Sequence, residues 1–140
     1  MVYVSRKEHF NAAHRLYNPD WSKEKNQEVF GACANENWHG HNFDLIVTVK
    51  GEPDPESGYV VDMKLLSDLI RQHITNKVDH KNLNLDVDFM KEKMVSCENL
   101  VTEFWNILQP LIRDHTSGKA SLHKIHLKET RNNFVEYQGD

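Results

Sequence analysis

The chain is poor in the features that mark several protein classes, and each shortage excludes something. It has only two cysteines among 140 residues, Cys33 and Cys97, with no CxxC spacing. That is too few for a disulfide scaffold and unlike a four-cysteine zinc module, so free thiols in a reducing compartment are expected. Positive charge is also short: 17 Lys+Arg stand against 21 Asp+Glu, a formal charge of −4. No global field is available for duplex nucleic acid or an anionic membrane, and neither is expected as a partner. Apolar runs of about 18 residues, the length that spans a bilayer, are missing, as is an N-terminal apolar segment behind a basic patch. A cytoplasmic protein is expected. Six glycines and four prolines leave no low-complexity tract, and 140 residues suit a single domain over residues 1–140.

One residue type is abundant. The chain holds nine histidines, and their placement carries the first chemical signal. Val2 to His14 alternates as a strand, with Val2, Val4, Phe10, Ala12 and His14 in one phase. From Arg15 to Asn37 the periodicity is lost, predicting a long irregular loop with at most a helical turn. His39, His41, Phe43, Leu45, Val47 and Val49 then share a phase, predicting a strand with one buried face. Glu52 to Gly58 is turn chemistry, and Tyr59-Val60-Val61 is expected to close a hairpin or extend the sheet. Leu65, Leu66, Leu69, Ile70 and Ile74 predict a helix over about Met63–Asn76, N-capped by Asp62. A polar loop is expected over Asp79–Asp88. A second helix follows, capped by Ser96, with Pro110 expected to kink or shorten it. Ser121, His123, Ile125, Leu127 and Glu129 share a phase, and a turn at Thr130–Asn133 leads to Phe134–Tyr137, a second hairpin. The order predicts an α+β domain: a four-stranded antiparallel sheet of two β-hairpins with two helices on one face. Symmetric self-association would hide the remaining edges.

In His39-Gly40-His41 the period of two sets both imidazoles on one side of a strand, and the intervening glycine lets the backbone pass close to whatever they hold. Taken alone, such a pair is more often hydrogen-bonded core. His14, in phase with Phe10 and Ala12, could bring a third imidazole to the same end of the sheet. Three neutral nitrogens suit tetrahedral zinc with an open fourth position. Cys33 lies in a polar, irregular stretch six positions before His39, a poor place for a packing thiol. Cys97, at the head of the second helix, reads better as a capping-turn residue near the core. Asp79-His80 is a weak signal by itself, a carboxylate beside an imidazole that it can orient. Glu129 sits at a strand end in an apolar phase; it either frays into solvent or receives the paired N–H donors of a guanidine-like heterocycle.

These residues, in order, resemble the 6-pyruvoyltetrahydropterin synthase family: Phe10 to Leu16, Cys33 with five residues before His39-Gly40-His41-Asn42, Asp79-His80-Lys81-Asn82-Leu83, Glu98-Asn99-Leu100 and Lys128-Glu129-Thr130. The resemblance covers Tyr3 to Tyr137. It implies the tunnelling fold, in which subunits join into a barrel-walled trimer and two trimers stack as a homohexamer with active sites between subunits. It implies zinc on His14, His39 and His41, Cys33 as the proton-abstracting base, and Asp79 and His80 as the relay that activates it. Glu129 then anchors the pterin ring. The implied reaction converts 7,8-dihydroneopterin triphosphate, a small-molecule pterin triphosphate, to 6-pyruvoyltetrahydropterin with release of triphosphate, a lyase step of tetrahydrobiopterin biosynthesis. Two positions depart from the family pattern: Cys97, where threonine is usual, and Pro110. One alternative is a 6-carboxytetrahydropterin synthase-like enzyme, in whose pattern three residues usually separate the cysteine from HxH. The other is a non-catalytic zinc or pterin binding protein, which would need neither Cys33 nor Asp79-His80.

Overall fold

The computed structural model describes residues 1–140. A five-stranded sheet runs in the order β3-β1-β2-β4-β5. Its strands are β1 (Val2–His14), β2 (His39–Gly51), β3 (Lys81–Asn82), β4 (Ala120–Lys128) and β5 (Phe134–Tyr137). The helices are α1 (Lys23–Phe30), α2 (Met63–Ile70), the single turn α3 (Asn76–Val78) and α4 (Cys97–His115). Of these, α2 and α4 pack together and against the sheet. The mixed sheet corrects the expected four antiparallel strands: β1, β2, β4 and β5 pair antiparallel, while β3 adds a short parallel edge to β1. Two residues in a polar loop carry no periodicity, so β3 left no trace in the sequence.

The centre of the sheet is β2. Its Phe43, Leu45, Val47 and Val49 are fully buried, each contributing about 1.5–3 kcal/mol of hydrophobic stabilisation. The helices cover that face with Leu66, Ile70, Leu100, Phe104 and Leu108. On β1 the buried phase holds one residue that hydropathy could not predict, Glu8. Its carboxylate accepts from Ser67 Oγ (2.7 Å), Arg6 Nε (2.9 Å) and Arg71 Nε (3.1 Å), which ties β1 to the α2 region. Burial works to raise its pKa, but those three donors outweigh it and hold the carboxyl below its usual value.

Several expected elements change. Tyr59–Val61 is not a strand and pairs with no strand of the sheet; Val60 and Val61 are both buried in the core ahead of α2. The helix expected over Met63–Asn76 is regular only to Ile70, then widens into a π-turn over Arg71–Thr75 before α3. The helix α4 runs through Pro110 without shortening. Pro110 and Asn106, whose carbonyl loses its partner, are both exposed, so water serves the freed group. The stretch expected to be irregular contains α1, whose buried Asn26 donates to the carbonyls of Asn18 (2.9 Å) and Ser22 (3.0 Å), a polar anchor in a weakly amphipathic segment.

The phase expected on β4 also breaks. Val49 pairs with Leu122 and Thr48 with Lys124, so His123 is the extra residue of a β-bulge. Ala120 and Leu122 are buried before it, Ile125 and Leu127 after it.

Candidate active site

The antiparallel register of β1 and β2 sets His14 opposite His39 and Ala12 opposite His41. The alternation that buries Phe10 and Phe43 brings the imidazoles to one end of the sheet, with ring centroids 4.5 Å (His14–His39), 4.9 Å (His39–His41) and 5.3 Å (His14–His41) apart. Gly40 makes its close approach elsewhere than expected. A Cβ there would lie 3.3 Å from the Ala12 carbonyl oxygen, so the glycine serves the β1–β2 pairing.

His14 is 2% exposed. Its Nδ1 lies 2.8 Å from the Val95 carbonyl, an acceptor only, so Nδ1 carries the proton and Nε2 presents a lone pair. Nothing in the sequence marked Val95 for this role. His14 Nε2, His39 Nδ1 and His41 Nε2 are buried and make no hydrogen bond. Buried polar atoms are normally satisfied, and three orphaned ring nitrogens in one place are the mark of a ligand-binding centre. Burial lowers the pKa of His39 and, against the pull of Glu129, that of His41, favouring the neutral imidazole a metal requires.

Glu129, one residue past the end of β4, adds a carboxylate. Its Oε1 is 2.8 Å from His41 Nε2 and 3.5 Å from His14 Nε2, and one ligand atom from each histidine and from Glu129 all lie within 4.8 Å of one another. The short contact to His41 lacks hydrogen-bond alignment. Three imidazoles and one carboxylate at this spacing form a group that can hold a metal ion. Glu129 Oε2 accepts from Cys97 Sγ at 3.2 Å. Burial, then this hydrogen bond to the carboxylate, pushes the Cys97 thiol well above the usual range, so it stays a protonated donor. Sequence reasoning set Cys97 aside as a capping residue; it opens α4 as expected, but its side chain also touches the site.

A cleft of about 550 Å³ opens beside the histidines, lined in part by His14, Leu16, Cys33, Cys97, Glu98 and Glu129. A 3₁₀ turn over Gly31–Ala34 delivers Cys33, and its carbonyl accepts from the Leu16 N–H at 2.8 Å, which joins this turn to the chain leaving β1. Cys33, Glu129 and His14 therefore share one cleft, and His39 and His41 are joined to it through their grouping with His14 and Glu129. Asp79 and His80 are not part of that cleft. His80 lines a second one of about 500 Å³, with Asn11, Gly40, His41 and Lys81. Asp79 Oδ1 accepts from the Asn11 N–H at 2.8 Å, and Oδ2 lies 2.9 Å from His80 Nδ1. The backbone hydrogen bond from Asn11 is the main reason the Asp79 carboxyl sits below its usual pKa. His80, at φ 59°, is held in the left-handed region with its backbone N–H on the Asn11 carbonyl and its ring in solvent. No helix is long and apolar enough to cross a membrane.

The sequence model of the family described as 6-pyruvoyl tetrahydropterin synthase matches residues 3–140. The chain is 39% identical to 6-pyruvoyl tetrahydrobiopterin synthase of Homo sapiens over 137 residues, covering 98% of this chain and 91% of that protein. It is 35% identical to the enzyme of that name from Dictyostelium discoideum, covering 99% and 97%. The solved structure of Caenorhabditis elegans 6-pyruvoyl tetrahydropterin synthase superposes with a TM-score of 0.90 at 35% identity, over 99% of this chain and 96% of that one.

Proposed function

Because the chain belongs to the 6-pyruvoyl tetrahydropterin synthase family, we propose that it converts 7,8-dihydroneopterin triphosphate to 6-pyruvoyltetrahydropterin, releasing triphosphate, in tetrahydrobiopterin biosynthesis. It is an enzyme of the lyase class. The observation that carries the reading is the set of three buried imidazole nitrogens without hydrogen bonds, beside a cleft that also holds Cys33 and Glu129.

His14, His39 and His41 would hold zinc through Nε2, Nδ1 and Nε2. Bound zinc supplies a Lewis acid that stabilises negative charge developing on the side-chain oxygens of the substrate and so acidifies the neighbouring C–H bonds. Cys33 is the base: its sulfur takes a carbon-bound proton, and the C–O bond to the triphosphate breaks with its electron pair leaving on the triphosphate. The same thiol returns a proton as hydrogens rearrange within the substrate, so the conversion is redox-neutral overall. Asp79 holds the Nδ1–H of His80, leaving Nε2 free to exchange a proton. The His80 ring is exposed and faces a different cleft from Cys33, which suits a relay that completes the site of a neighbouring subunit in a cytoplasmic homohexamer. Glu129 stands between the histidines and the open cleft, where its oxygens can take the paired N–H donors of the pterin ring.

The test is product identification by mass after incubating the zinc-loaded protein with dihydroneopterin triphosphate. Triphosphate with the pyruvoyl product is expected. The carboxy product with acetaldehyde, or no turnover, would overturn the reading.

A further inference from the structure

One cleft that the proposed chemistry does not use lies next to the Cys33 turn. It measures about 300 Å³ and is lined by Arg15, Tyr17, Lys23, Gln27, Ala34 and Glu36. Arg15 is fixed at both backbone groups by Asn84, whose Oδ1 accepts from the Arg15 N–H (3.1 Å) and whose Nδ2 donates to the Arg15 carbonyl (3.1 Å). Its guanidinium carbon lies 4.4 Å from the Tyr17 ring centroid and 4.6 Å from that of Trp38. Trp38 reaches this position with φ 68°, rare for a bulky residue. The guanidinium thus makes a cation–π contact with each ring and still carries its five N–H donors. None of those donors meets a protein acceptor, and neither Arg15 nor Lys23 has a carboxylate within 4.0 Å.

A guanidinium oriented by two rings and left without an acceptor is prepared for a planar, bidentate anion contact. We propose that the Arg15–Lys23 cleft binds a phosphoryl chain and, on the function proposed above, holds the triphosphate of the substrate. Arg15 follows His14 and Ala34 follows Cys33, and the Leu16–Cys33 backbone hydrogen bond locks these two segments together. Alternation then turns His14 and Leu16 into the Cys33 cleft and Arg15 and Tyr17 into this one. The two clefts share a wall of backbone at the end of the sheet. Glu36 is the one carboxylate in the lining. Arg15 and Lys23 against Glu36 leave a net charge of +1, so both cations are needed for a strong anion site.

The experiment is calorimetric titration of the zinc-loaded full chain with inorganic triphosphate, and separately with neopterin, which carries no phosphate. Arg15→Met and Lys23→Met are compared with the unaltered chain. Both variants are expected to lose at least tenfold in triphosphate affinity, with neopterin affinity unchanged. In turnover, KM for dihydroneopterin triphosphate should rise by the same factor while kcat stays within a few-fold. Arg15→Lys should fall between, because it keeps the charge but loses the fork and the stack. If Arg15→Met distorts the loop, neopterin and triphosphate binding will fall together, and Lys23→Met, which leaves the stack intact, decides. Unchanged triphosphate affinity in Lys23→Met, or equal losses for both ligands in both variants, overturns the proposal. Triphosphate binding that depends on Arg15 in a chain that does not turn over the pterin would uphold the anion site and refute the proposed reaction instead.

Discussion

Replacing Glu129 with glutamine separates two roles that one carboxylate could play. In the structure Oε1 faces the imidazoles and Oε2 accepts the Cys97 thiol. Glutamine keeps the length and one acceptor oxygen but exchanges the other for an N–H₂ donor and removes the charge. If the Glu129 carboxylate receives paired donors from the pterin ring, the variant loses one charge-assisted hydrogen bond, about 1.5–3 kcal/mol. At about 1.4 kcal/mol per tenfold, pterin affinity should fall roughly 10- to 100-fold. Only 22% of the side chain is exposed, so solvent screening should not erase the effect. Zinc should remain stoichiometric, since His14, His39 and His41 still offer three nitrogens. The assay pairs neopterin binding, followed by fluorescence quenching, with metal content on the same sample. Unchanged neopterin affinity would sink the anchor role. Lost zinc with little change in pterin affinity would make Glu129 a metal ligand first.

Cys33→Ala should keep its zinc and its pterin affinity but lose about 10²- to 10⁴-fold in turnover, the usual cost of removing a positioned base; normal turnover, or failure only through lost zinc or unfolding, would move the assignment to His80. His14→Ala and His41→Ala should each abolish stoichiometric zinc while the circular dichroism spectrum stays folded, because the core rests on the apolar faces of β2, α2 and α4; full occupancy in both would dissolve the three-histidine centre. Glu8 predicts an acid limit. Its carboxyl sits below its unfolded value, so its contribution is complete above the unfolded pKa of about 4.3 and disappears as pH falls through the folded value. Urea unfolding of the parent should show that loss on acidification, and Glu8→Gln should be weaker at pH 7 with a flatter acid slope.

Where side chains alternate against a hydrophobic layer, the sequence was readable. The phase of β2 and of the Phe10–His14 end of β1 followed from hydropathy alone, and because His14, His39 and His41 share those phases, their convergence could be inferred before any geometry was known. The Asp62 and Ser96 caps were legible for a similar reason, a polar side chain just before an apolar stripe. What escaped depends on partners distant in sequence. Glu8 reads as a defect in an apolar phase until Ser67 and Arg71 supply its donors. The Val95 carbonyl that fixes the His14 tautomer has no side-chain signature at all. The bulge at His123 adds a residue without altering composition, so the apparent phase across Ser121–Glu129 was right after the bulge and wrong before it.

That extra residue has a consequence for the chemistry. In a pleated strand, adding or removing one residue reverses the facing of everything downstream. His123 therefore works as a phase shifter: upstream, Leu122 answers to Val49, and downstream, Leu127 and the Glu129 that follows answer to Leu45 and the histidines. Deleting His123 alone would force either the start of β4 to turn its apolar side to water or Glu129 to swing to the opposite face of the sheet. A one-residue deletion in the Glu52–Gly58 turn carries no such choice. Insertions and deletions should thus be tolerated unevenly along this chain, and the least forgiving point for the carboxylate lies six residues before it, in a position with no contact to the site.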